Sequence, residues 1–182
     1  MATVLLSTPR YAGVMRDARD RPEGLRAWTD LCEVVDQVRI LVNRDLFERA
    51  GLTLAENLVL CQVAMSPQGR LRMVDLASHL AIAKSAVTKT VDRLEERRLV
   101  RRERDERDRR SVYAALTEDG VKAFAVAQPT YLESVQQHFA SRLDPSVLRE
   151  LKAISEQVLD RRTPDQASRA ARTTRRAGVR AV

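Results

Sequence analysis

Residues 74–116 read VDLASHLAIAKSAVTKTVDRLEERRLVRRERDERDRRSVYAAL, and the reading of this stretch decides the fold. Val74 to Leu80 has the apolar spacing of a short helix, Ala81-Ile82-Ala83 is a tight turn, and Ser85 to Arg97 is a second helix. At about 100° per residue, Val87, Thr90, Val91 and Leu94 fall on one side of that second helix and form its core face. Ser85, Lys89, Asp92, Arg93 and Glu96 point away, with Thr88 on the flank. The period then changes. Val100 to Arg104 and Ser111 to Leu116 read as two short strands, the second alternating Val112, Ala114 and Leu116 with Tyr113 and Ala115. Asp105-Glu106-Arg107-Asp108-Arg109-Arg110 joins them as a hairpin loop. Two helices across a three- or four-residue turn, followed by a strand hairpin, is the plan of a winged helix-turn-helix.

The rest of the chain is helical on either side. Trp28, Leu31, Cys32, Val35, Val38, Leu41, Val42 and Leu46 recur at three and four residues and predict a first helix, anchored by Trp28 and ended by Gly51. Leu54, Leu58, Cys61 and Met65 mark a second, stopped by Ser66-Pro67-Gln68-Gly69, and Leu71 to Met73 is a short extended piece. After the hairpin, Thr117 caps a long helix carrying Val121, Phe124, Leu132, Val135 and Phe139, which Pro129 is expected to kink. Asp144 caps a last helix with Pro145 at its first position and Leu148, Leu151, Ile154 and Val158 along one side. The fold class is therefore mainly α with a small β-hairpin wing (α+β). Residues 1–24, rich in Pro, Gly and alternating charge, read as a flexible arm. Residues 161–182 read as a disordered basic tail.

Length and composition fit one compact subunit: 182 residues, 31% charged and 44% hydrophobic. No apolar run approaches the roughly 18 residues that cross a bilayer, and Val4-Leu5-Leu6 is too short for a signal-peptide core. Cys32 and Cys61 have no pairing motif and fit a reducing compartment. A cytoplasmic protein without a membrane partner is expected. The net charge of +7 invites a nucleic-acid reading, but its location matters more than its size. Residues 161–182 hold 7 basic and 1 acidic residues, nearly the whole excess, whereas residues 71–118 hold 12 and 9. Any specific recognition rests on placement within 71–118, and the tail adds at most nonspecific phosphate contacts.

Placement there is suggestive. Lys84, Ser85, Ala86, Thr88 and Lys89 gather short and basic side chains at the N-terminal half of the second helix, where a helix approaches a major groove closely. Lys84 or Lys89 suits guanine acceptors, and Ser85 or Thr88 suits bases or phosphates. A solvated amphipathic face is the plain alternative. In the hairpin loop, three acids can hold some of the three arginines and leave one for the strongly negative minor groove. An ordinary polar hairpin is the alternative there.

The run from Asp75-Leu76-Ala77 to Leu80, Val87-Thr88-Lys89 with Val91-Asp92-Arg93-Leu94-Glu95, Leu99-Val100, Asp105 to Arg110, and Leu116-Thr117-Glu118-Asp119-Gly120 resembles the MarR family of bacterial transcriptional regulators. The resemblance is strongest over 71–120 and spans roughly residues 25–160. It implies a winged helix-turn-helix core at about 52–117 between dimerisation helices at about 25–50 and 118–160. It implies a homodimer on a pseudo-palindromic double-stranded DNA operator, with a repressor's role and a small-molecule effector. Lys84, Ser85, Ala86, Thr88, Lys89 and Arg93 would face DNA from the recognition helix. Asp108 and Arg110 would form the wing's structural pair, leaving Arg107 or Arg109 for the minor groove. Two positions depart from the family pattern: Ala83 stands where a Ser often caps the recognition helix, leaving Ser85 to take over, and Arg98 stands where Gly is usual at a left-handed position. The dimer has separate support, since long apolar faces on the first and last helices need a cover. Two-fold self-association is the ordinary solution and packing within one bundle the alternative.

Other classes are weaker. Cys32 lies at an apolar-stripe position with no tyrosine in its helix to orient a thiolate, which disfavours a peroxide sensor. Cys61 reads as core. His79 and His138 lack partners at metal-ligand spacing, so no metal or cofactor is expected; His138 reads as packed or exposed, with a ligand cleft as the lesser option. Asp30, Asp36, Arg39 and Arg44 read as the wet face of the first helix, with pocket polar groups as the alternative. There is no nucleophile elbow, phosphate loop or paired carboxylates in a defined setting, so no catalytic residue is assigned and the chain is not expected to be an enzyme. A helical interaction protein without operator specificity remains the rival binding module.

Overall fold

The computed structural model describes residues 22–105, 108 and 111–159. The expected arm and tail therefore lie outside the described residues, except that helix α1 (Glu23–Ala50) begins two residues inside the expected arm. Gly51 ends α1 with a left-handed backbone (φ 63°), its N–H donating to the Phe47 carbonyl while the Leu52 N–H donates to that of Leu46. Glycine takes this conformation without a Cβ penalty. Helix α2 (Leu54–Ala64) starts with a reciprocal cap. Thr53 Oγ1 accepts from the Glu56 N–H at 3.2 Å, and Glu56 Oε2 accepts from the Thr53 N–H at 2.8 Å. Asn43 of α1 accepts from the Leu54 N–H at 2.9 Å, satisfying another opening donor.

Strand β1 (Arg70–Arg72) leads into α3 (Met73–Leu80) and, across the turn, α4 (Lys84–Glu96), within a residue of the sequence reading. Strands β2 (Val100–Arg104) and β3 (Val112–Leu116) form the hairpin. The short extended piece is thus a third strand, giving an antiparallel sheet of order β1-β3-β2. Register places Leu71, Ala114 and Arg102 side by side, and Arg70, Ala115 and Arg101 side by side on the opposite face.

Helix α5 (Glu118–His138) lies along α1. It is continuous through Pro129, so the expected kink does not break it; the ring removes only the donor that would have served the Ala125 carbonyl. The core joins Val42 and Leu46 of α1, Val59, Leu60 and Val63 of α2, and Leu76 of α3 with Val87, Val91 and Leu94 of α4, the sheet's Val100 and Ala114, and Ala127 of α5. Trp28 is not an anchor: it is 63% exposed, together with Leu25, Leu31, Val35, Ile40 and Phe47 on the same helix.

The described residues from Phe139 to Leu159 belong to a separate compact unit. A short 3-10 turn (Ala140–Arg142) precedes α6 (Pro145–Val158). Pro145 opens α6 as expected, but the Asp144 side chain makes no capping bond. Val147, Ile154 and Val158 are exposed.

Candidate nucleic-acid interface

The buried residues of α4 are Val87, Thr90, Val91 and Leu94, the face that the periodicity predicts. Lys84, Ser85, Ala86, Thr88 and Lys89 are all exposed. Ala81 closes α3 in a left-handed conformation (φ 52°), which turns the chain sharply into α4. Ala83 occupies the N-cap position and offers no side-chain acceptor, and Ser85 makes no cap in its place. The opening N–H groups of α4 thus have no side-chain cap. Thr88 Oγ1 donates to the Lys84 carbonyl at 3.0 Å, which leaves its oxygen able to accept.

Arg93 sits differently from Lys89. Its Nε lies 3.5 Å from Glu56 Oε1, and Arg97 Nη1 lies 3.5 Å from Glu56 Oε2. Glu56 is nearly buried, so one carboxylate both caps α2 and fastens the C-terminal half of α4 to it.

The base of the wing is a polar network. Arg72 Nε donates to the Tyr113 hydroxyl at 2.8 Å, and that hydroxyl donates to Asp105 Oδ2 at 3.3 Å. The guanidinium carbons of Arg70 and Arg72 lie 4.8 and 5.5 Å from the Tyr113 ring centre, within cation–π range. Asp105 Oδ1 accepts from the Asp108 N–H at 3.1 Å, and Asp108 Oδ2 from Ser111 Oγ at 2.8 Å. Arg102 reaches the other way, to Asp92 Oδ1 at 2.6 Å and to Glu95. Burial works against its charge, but these carboxylates outweigh burial and raise it above the ordinary guanidinium value.

The strand exit Leu116-Thr117-Glu118-Asp119-Gly120 has a physical basis. Thr117 Oγ1 donates to the Arg98 carbonyl at 2.6 Å and accepts from the Gly120 N–H at 3.0 Å. The Thr117 N–H donates to the Leu99 carbonyl at 3.1 Å. A Cβ at Gly120 would lie 1.9 Å from that same carbonyl oxygen, so only glycine lets α5 start here. Arg98 is left-handed (φ 59°), as the departure from a usual glycine predicts.

This geometry matches that of known proteins. A family model described as MarR family matches residues 50–111. AbsC, a MarR family transcriptional regulator from Streptomyces coelicolor, is 30% identical, with a TM-score of 0.70 over 81% of this chain and 97% of its own. The chain belongs to the MarR family. Sco3205, another MarR family regulator of that organism whose crystal structure is a complex with DNA, is 30% identical with a TM-score of 0.71, over 81% of this chain and 95% of its own. The HTH-type transcriptional repressor MdtR of Bacillus subtilis is 34% identical over 73 residues, 40% of this chain and 46% of that repressor's length. This is a MarR-family transcriptional regulator with a DNA-binding winged helix.

In this MarR-family chain, the expected wing residues Arg107, Arg109 and Arg110 lie outside the described residues, and Asp108 is placed at the loop base. Sequence reasoning missed Arg102, Asp92 and Glu95 as a group, the Arg70–Tyr113–Arg72 stack, and Glu56. The Thr53-x-x-Glu56 spacing was a visible capping signal, but nothing local marked Arg102 among its neighbouring arginines. His138 is packed: its Nε2 meets Asp45 Oδ2 at 2.8 Å, and Ser134 Oγ donates to the same oxygen at 2.7 Å. Cys61 is half-buried where core was expected; burial pushes its thiol up, and its Sγ lies 3.8 Å from Met65 Sδ. Among the described residues, no group of three or more His, Cys, Asp or Glu is placed to hold a metal, and no helix is long and apolar enough to cross a membrane.

Proposed function

We propose that the protein is a repressor that binds a pseudo-palindromic operator as a homodimer and releases it on binding a small molecule. The observation that carries the reading is α4: its core face is wholly packed, while Lys84, Ser85, Ala86, Thr88 and Lys89 stand exposed at its open N-terminus. In this proposal those residues enter the major groove, and Arg107 or Arg109 enters the flanking minor groove, with Asp108 and Arg110 shaping the loop. Arg93 reaches Glu56 at 3.5 Å with about half of its side chain still exposed, and in this proposal it faces DNA from the C-terminal half of α4.

The homodimer reading is supported by exposed apolar residues on α1, from Leu25 and Trp28 to Phe47, and separately on α6. Two copies of α4 about 34 Å apart would meet successive major grooves. A cleft of about 500 Å3 lined by Asp36, Arg39, Ile40, Asn43, Leu54 and Ala55 offers the effector both charge and apolar surface, which makes Asp36 and Arg39 candidate pocket groups. An effector acts by favouring a dimer whose α4 helices are badly spaced for DNA.

A gel shift across salt concentrations, with the chain's own promoter against random DNA, tests the reading. Preference for the promoter, and a roughly 5- to 100-fold loss of that binding in Lys89→Ala, is the expected result. Equal affinity for both DNAs refutes operator recognition, and Lys89→Ala with all function intact favours an interaction protein.

A further inference from the structure

Arg102 departs from the pattern of its own strand. Its register partner Ala114 is fully buried, and Val100 on the same face of β2 is buried in the core. A position on that face ordinarily carries an apolar chain. Here a guanidinium runs along one flank of α4 instead. Its Nη2 meets the Thr88 carbonyl at 3.5 Å and Asp92 Oδ1 at 2.6 Å, and its Nη1 meets Glu95 Oε2. The Arg102 backbone N–H donates to Glu95 Oε1 at 3.0 Å. Positions 88, 92 and 95 stack on successive turns of one helix face. The uppermost, Thr88, belongs to the exposed group at the N-terminal half of α4.

We propose that Arg102 is a positioning residue that clamps the wing hairpin to α4, so that both elements meet DNA in one fixed register. The inference rests on the DNA-binding reading above. It also accounts for two carboxylates on a helix facing a polyanion, where charge alone opposes them. Asp92 and Glu95 serve as the fixed ends of the clamp.

The two accounts give opposite signs for one variant. Removing both acids as Asp92→Ala/Glu95→Ala strengthens binding to every DNA if they act only by repulsion. If they hold the clamp, operator affinity falls roughly tenfold or more while random-DNA affinity rises. Arg102→Met, which keeps bulk on the core-facing side, gives the same operator loss. Hydrogen exchange of the unbound protein supplies a readout that needs no DNA: the Arg102 amide exchanges faster in the Ala double variant. Thermal melts verify folding, and the double variant, changing two part-exposed side chains to a strong helix former, remains decisive if Arg102→Met unfolds. Operator binding at or above the unsubstituted level, with unchanged exchange at Arg102, overturns the clamp. A parent protein that selects no sequence sinks the operator reading, and exchange at Arg102 still decides the clamp.

Discussion

Gly120→Ala concentrates the packing of the winged domain into one methyl group. The new Cβ would lie 1.9 Å from the Leu99 carbonyl oxygen, 2.9 Å from its carbon and 3.1 Å from Leu116 Cδ2. Carbon–oxygen contacts settle near about 3.3 Å, so α5 or the Arg98–Leu99 segment must shift by about 1.4 Å. Both obstacles at Leu99 are backbone, which cannot rotate away as a side chain can. The shift strains the Thr117 bonds to the Arg98 and Leu99 carbonyls and the Gly120 bond to Thr117. Overpacking costs about 1–3 kcal/mol and each weakened bond up to about 1, offset by up to about 1 from alanine's helix propensity. The expected net is about 2–4 kcal/mol, or a melting temperature lower by about 4–16 °C. Gly24→Ala is the matched control, because nothing lies within 4 Å of its added Cβ and it sits in the first turn of α1. It should leave melting unchanged or slightly raised. A Gly120→Ala protein that melts within a degree of the parent by circular dichroism refutes the close approach as the reason for the Leu-Thr-x-x-Gly exit.

Asp45 gives a pH signature. Burial pushes its pKa up, but hydrogen bonds from Ser134, Arg44 and His138 outweigh burial and hold it at about 2, against 3.8 ordinarily. A depressed carboxylate contributes stability above its unfolded pKa and loses it as pH falls from about 4 through about 2. Denaturant titrations should show about 1–2 kcal/mol lost over that range, with a shallower slope in Asp45→Asn; equal slopes would dismiss the network. Asn57 is fully buried with neither side-chain nitrogen nor oxygen bonded, so Asn57→Leu should raise stability by about 1–2 kcal/mol in the same titrations, and a lower midpoint would contradict this. Arg98→Gly should gain about 1 kcal/mol by relieving a left-handed backbone; destabilisation would mean the Arg98 side chain has a compensating role.

The parts of the fold legible in sequence were those with strict periodicity. Val87, Thr90, Val91 and Leu94 repeat at helical spacing because they face one core, and the change to alternation at Val100 marks the hairpin because a pleat has a period of two. β1 was only partly legible, since Arg70-Leu71-Arg72 is too short to alternate and becomes a strand by pairing with Tyr113 to Ala115. The exposed residues of α4 were legible for the same geometric reason as its core. Arg102 was not: it lies in a run of similar charges, and its distinction comes from tertiary contacts with Asp92 and Glu95. Trp28 misled because an apolar stripe signals burial without saying against what, and α1 leaves it uncovered within one chain. Asp144 and Ser85 show that a residue suited to capping still needs the right rotamer and backbone.

The bond from the Arg102 N–H to Glu95 also bears on the edges of the sheet. A sheet of order β1-β3-β2 has two edges, and an open edge invites strand addition from a neighbouring molecule. β1 is three residues long, too brief to template a partner. β2 is longer, and it is there that a helix carboxylate occupies an edge amide, between the charged side chains of Arg101 and Glu103. The contact between α4 and β2 therefore also occupies one amide of the hairpin's open edge, so variants at Glu95 should be watched for aggregation during expression as well as for altered DNA binding.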